Sequence, residues 1–145
     1  MARPLRSDWF AWVSTFPASG TFIACLFLPQ FRDCNGREKT AFQTSTAPMM
    51  IALAVIGVLP LVWFALPRMF DAFEEVAGMV GVLISIAFIA CFPLVGAFCR
   101  WHNGAYLTWG AAWLELGGMI AWTSSATTRR GLRARGLMRS PHRDR

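Results

Sequence analysis

Charge is scarce in this chain, and acidic charge most of all: eight Asp and Glu stand against fourteen Lys and Arg in 145 residues, 15% charged in total. A water-soluble domain normally carries about 25% charged residues, so an ordinary solvated surface is excluded. Histidine is limited to His102 and His142. Two histidines facing each other at membrane depth would be needed to hold a b-type haem from both sides, so a self-contained haem protein is excluded as well. The four cysteines form no CxxC pair, which removes the thioredoxin-type redox and zinc readings. No apolar stretch holds two acidic residues, and no His/Asp/Glu cluster has metal-ligand spacing. The expectation is therefore a protein that is not an enzyme and needs no metal or cofactor.

Apolar residues dominate instead, at 55% of the chain, with a mean hydropathy of +0.43. The formal charge of +6 could point to nucleic acid, but its position argues otherwise. Seven basic residues follow Thr128, beyond the last apolar run, rather than spreading over a folded face. No nucleic-acid partner is expected.

A bilayer core about 30 Å thick needs roughly 20 apolar residues of helix. Four stretches meet that length: Trp9 to Leu28, Met49 to Leu66, Gly78 to Phe98 and Gly104 to Thr123. Pro17, Pro60 and Pro93 fall inside them, where neighbouring helices can satisfy the freed carbonyls. The fold class expected is an all-α membrane protein with four transmembrane helices over residues 1–126. A basic cytoplasmic tail over 127–145, too poor in apolar residues for a core, is expected to be disordered.

The first stretch is preceded by Arg3 and Arg6 and contains Ala18–Ser19–Gly20, features shared with signal peptides. A signal h-region spans roughly 7–15 residues. Here the apolar run continues through Leu28, so an uncleaved helix is expected. Basic residues set the orientation. With both termini inside, ten lie on the cytoplasmic side and four (Arg32, Arg37, Lys39, Arg100) outside. The expected location is the cell (inner) membrane, multi-pass.

The first and third stretches share a tetrapeptide: Phe22–Ile23–Ala24–Cys25 recurs as Phe88–Ile89–Ala90–Cys91. Met50–Ile51–Ala52 likewise recurs as Met119–Ile120–Ala121. Two repeated helical hairpins would produce this pattern; so would chance among few apolar letters. Both readings stay open.

Three sets of residues are candidate sites. Cys34 and Cys99 both fall on the outer side, where disulfides persist, and are a candidate bridge. Glu115 is the one ionisable group deep in a stretch. An ionised group at helix centre costs roughly 2.5–3.5 kcal/mol, so it should face the bundle interior. Ala111, Ala112, Gly118 and Met119 share its side, and Ser85 and Ser19 fall at a similar depth as hydrogen-bond donors. It is then either interhelical glue or a protonatable site, with Trp109, Trp113 and Trp122 as a lining for a lipophilic cation. Finally, Arg129, Arg130, Arg133 and Arg135 are placed to meet lipid headgroups or an acidic partner. The inner loop acids Asp71, Glu74 and Glu75 are expected to be solvated rather than paired with that tail.

The residues suit a non-enzymatic membrane subunit or scaffold that contacts lipids, other membrane subunits or copies of itself. Two alternatives stand beside it. One is a small oligomeric transporter or channel using Glu115. The other is a holin-like membrane-permeabilising protein, suggested by several spans followed by a charged end.

Overall fold

A computed structural model describes residues 6–44, 46–65, 73–95 and 100–134. Most of the chain is helical. The elements run α1 (Arg6–Cys25), β1 (Phe31–Arg32), β2 (Glu38–Lys39), α2 (Ala47–Ala65), α3 (Glu74–Val95), β3 (Arg100–Trp101) and α4 (Asn103–Ala134). Helix α4 packs mainly against α1 and α3, and α2 closes the ring between α1 and α3. The strands form a small antiparallel sheet, order β2-β1-β3, with Phe31 opposite both Lys39 and Trp101. Because that sheet joins the α1–α2 and α3–α4 connections, both lie at one end and the four helices run up, down, up, down.

The buried positions explain why these helices pack. In α4 they fall at Ala105, Thr108, Ala112, Glu115, Met119, Trp122, Ala126 and Arg129, alternating steps of three and four. Helix α1 repeats the pattern with Asp8, Ala11, Thr15, Ala18, Phe22 and Cys25, and α3 with Glu74, Gly78, Gly81, Ser85, Phe88 and Phe92. A repeat averaging 3.5 residues keeps one narrow seam on the bundle axis. Small seam residues let the helices close. A Cβ on Gly81 would lie 2.9 Å from Met119 Sδ, and one on Gly118 would lie 2.5 Å from Ser14 Oγ.

Among the described residues one helix, α3 over Glu74–Leu94, is long and apolar enough to cross a membrane; the apolar part of α2, Ala47–Pro60, is shorter. Four such helices were expected. The difference comes from the seams: α1 and α4 spend Asp8, Ser14, Thr15, Ser19, Thr108, Glu115, Ser125 and Arg129 on the interior, which dilutes their apolar character. A second difference concerns the tail. Helix α4 continues to Ala134, so the boundary expected at residue 127 falls within a helix.

The carbonyl freed by Pro93 is taken up by a side chain. Pro93 has no N–H to offer the Ile89 carbonyl, and the Trp109 indole Nε1 donates to that oxygen at 3.4 Å. Trp12 Nε1 donates to the Pro60 carbonyl at 3.2 Å, joining α1 to α2. Trp122 is buried in the seam.

Candidate functional site

Three polar layers lie along the bundle axis. At the sheet end, Gln30 is fully buried and joins four segments. Its Nε2 donates to the Cys25 carbonyl at 2.6 Å, and Thr108 Oγ1 donates to its Oε1 at 3.1 Å. Its backbone N–H donates to Lys39 O, and its carbonyl accepts from His102 N. A Cβ on Gly104 would lie 2.4 Å from Pro29 O, so only glycine lets α4 start against this strand. Beneath it Phe31, Phe88, Phe92 and Trp101 form an aromatic cluster, with Phe88 stacked on Phe92 at 4.9 Å.

The exposed hairpin above Gln30 turns through Asp33 to Arg37. Asp33 Oδ1 accepts from Asn35 N and Arg37 N, each at 2.9 Å, and Gly36 takes φ 78°, a region favouring glycine. The backbone hydrogen bond from Arg37, aided by that from Asn35 and the charges of Lys39 and Arg37, holds the Asp33 carboxyl below the usual carboxylate range despite some loss of hydration. A depressed carboxylate stabilises the fold above its ordinary pKa, and that stability is lost as pH falls through the depressed value. Acidification through the carboxylate range should therefore loosen this hairpin first, read as faster amide exchange at Asn35 and Arg37. Asp33→Asn should remove the acid dependence; an unchanged profile in that variant would sink the assignment.

The central layer is built around Glu115, wholly buried, with Ser85 and Ser19 buried too. A Cβ on Gly57 would meet Ser19 Oγ at 2.2 Å and the two Glu115 oxygens at 2.6 and 3.0 Å. Ser19, Glu115 and the bare backbone of α2 therefore converge on one point. Ser85 joins from α3. Gly78 faces Thr123, Gly81 faces Met119 and the Ile89 carbonyl takes Trp109, so the antiparallel register brings Ser85 level with Glu115 between those contacts. Ser19 Oγ donates to Thr15 O at 2.9 Å. Both Glu115 oxygens and Ser85 Oγ have no hydrogen-bond partner. Ser19 and Ser85 lie level with Glu115, but neither is the hydrogen-bond donor to it that the sequence suggested. The aromatic lining differs. Trp109 and Trp113 touch edge to face at 5.9 Å, but Trp113 is exposed and Trp122 lies about two helical turns towards the other end of α4.

The third layer was not foreseen. At the end opposite the sheet, Arg129 is only 4% exposed. Its Nη1 donates to Asp8 Oδ1 at 2.5 Å and its Nη2 pairs with Glu74 Oε1. Arg130 pairs with Glu75 beside it. Two corrections follow. Arg129 faces the interior, not lipid or a partner, and Glu74 and Glu75 are paired with arginines rather than solvated. The planar guanidinium can serve two carboxylates at once, and the acids sit in the first turns of α1 and α3, where the helix dipoles favour negative charge. The signal was available: Arg129 stands two heptads after Glu115, on the same stripe. Treating the arginines as a block of tail hid it.

Of the remaining candidates, Arg135 and the side chain of Arg133 lie outside the described residues. So does Cys99, and with it the Cys34–Cys99 bridge; no disulfide is present among the described residues. No family model, curated protein or solved structure matches the chain.

Proposed function

We propose that this protein is a four-helix integral membrane protein with both termini cytoplasmic, acting as a non-enzymatic membrane subunit or scaffold. One observation carries the reading: polarity is inverted relative to a soluble protein. All four helices expose large apolar side chains, with Trp9 63%, Val55 60%, Leu83 66% and Leu107 54% exposed, while Asp8, Glu74, Ser85, Thr108, Glu115 and Arg129 are buried among the apolar residues of the seam. Monomeric soluble proteins rarely expose apolar patches beyond a few hundred Å². Lipid makes such a surface favourable and supplies no hydrogen bonds to interior polar groups, which must meet one another.

The dimensions agree with a bilayer. Along α4, Asn103 to Arg129 spans about 39 Å at 1.5 Å per residue, close to the roughly 40–45 Å of a bilayer with its headgroups. Charged side chains of the described residues gather at the two ends, and Glu115 alone lies between. Arg133 and Arg135 then meet anionic headgroups on the inner face. Two repeated hairpins gain support from the equivalent positions: Phe22 meets Phe88 edge to face at 6.0 Å, Met50 and Met119 are both buried, and Ile51 and Ile120 are both exposed.

The orphaned oxygens of the central layer favour a second reading, a small oligomeric transporter or channel in which Glu115 is the protonatable group. Glue alone would give that carboxyl a partner.

A single labelling experiment tests both the topology and the bridge. In intact cells, a membrane-impermeant maleimide should modify Cys34 only after reduction, with Cys34→Ser as control. Labelling without reductant would remove the Cys34–Cys99 bridge. Failure to label even after reduction would place the hairpin inside and overturn the orientation.

A further inference from the structure

We infer that Glu115, Ser19 and Ser85 form an oxygen-lined site at the bundle centre that takes one small monovalent cation, Na⁺, in competition with a proton. The site rests on the membrane-embedded bundle proposed above and gives its second reading a ligand.

Each helix contributes one part. Helix α1 supplies Ser19 Oγ, whose own hydrogen is committed to Thr15 O, so its lone pairs remain for a ligand. Helix α2 supplies Gly57, where any Cβ would occupy the space at 2.2 Å from Ser19 and 2.6 Å from Glu115. Helix α3 supplies Ser85 Oγ and α4 the Glu115 carboxyl, all buried and without a hydrogen-bond partner. Buried polar groups are normally satisfied. Here several oxygens go without at one level of the bundle.

The chemistry of this set selects the ligand. Only oxygens are present, which suits a hard cation. One carboxylate neutralises one positive charge, so a divalent ion would leave an uncompensated charge in a low-dielectric interior. Ser19 Oγ lies 2.2 Å and one Glu115 oxygen 2.6 Å from the same point beside Gly57, so the two oxygens are near enough to each other for one small alkali ion to bridge them. A proton on Glu115 gives the same neutral site, so each Na⁺ bound displaces one proton.

Among the described side chains no other charge lies near the carboxylate. Helix α2 has no charged residue, and the remaining thiols on the packed helices are Cys25 on α1 and Cys91 on α3. Asp8, Glu74, Glu75, Arg129 and Arg130 are paired with one another about 20 Å away along α4.

Equilibrium binding of ²²Na⁺ to the full chain purified in mild detergent, with choline as the balancing cation, tests the site. Wild type should bind one Na⁺ more tightly as pH rises, and Na⁺ should remove the infrared band of a protonated carboxylic acid. Glu115→Gln should abolish both signals. Ser85→Ala should weaken binding by about tenfold, the loss expected for about 1.4 kcal/mol of ligand interaction. Circular dichroism of each variant establishes that it is folded, and the Cys34 labelling above reads the membrane topology independently of cation binding. Folded wild type that binds no Na⁺ at any pH, or Glu115→Gln that binds as wild type does, overturns the site while leaving the membrane reading standing.

Discussion

Arg129→Ala should destabilise this protein by about 3–5 kcal/mol, the range for removing one partner of a buried ion pair. Asp8 and Glu74 come from the first turns of two different helices and meet on one guanidinium. Without it, two buried carboxylates lose the cation they share. Arg129→Lys should recover only part of the loss, because a point charge on a flexible stem cannot present two parallel donors. A combined Asp8→Leu, Glu74→Leu, Arg129→Met variant should regain most of it, since apolar replacement of a whole buried ion cluster is often neutral or better. The measurement is chemical unfolding in mild detergent followed by far-ultraviolet circular dichroism. An Arg129→Ala variant as stable as the parent would show that the cluster contributes nothing.

Gly57→Leu should have the next largest effect, a loss of about 3 kcal/mol or more from overpacking. Its Cβ alone would collide with Ser19 Oγ and both Glu115 oxygens. The serine would have to leave its bond to Thr15, and the rest of the leucine side chain would have to displace the Glu115 carboxyl altogether. Gly57→Ala should do less, because the glutamate end can swing while alanine favours helix by about 1 kcal/mol over glycine. Gly117→Ala is the control: nothing lies within 4 Å of its added Cβ, so it should be neutral or slightly stabilising. The same unfolding series distinguishes these cases. Equal effects at positions 57 and 117 would mean that the central layer has slack.

Both predictions concern residues whose role depends on what stands opposite them. Composition and hydropathy alone were enough to expect a helical protein with an apolar exterior, and a lone glutamate in an apolar stretch had to point inward. Its neighbours Ser19 and Ser85 were legible from depth counted along the helices, because a helix rises by a constant 1.5 Å per residue. The ion cluster was not found that way. Asp8, Glu74 and Arg129 are separated by 66 and 55 residues in the chain, and each looks like an ordinary terminal charge beside its own helix.

The sequence by itself determined the helices and the spacing of their buried residues, the turn at Asn35–Gly36, and the central carboxyl. These depend on local geometry: the 3.5-residue spacing, the conformational freedom of glycine and the high energy of a charge in apolar surroundings. Only the tertiary structure decided that α4 continues past Thr128 to hold Arg129 between two acids, that Gly57 makes room for Glu115, and that both inter-helix connections join one sheet over Gln30. Each of these joins segments far apart in the chain. The energies that hold them come from packing and from pairing buried charge, and such energies exist only once the helices have closed on one another.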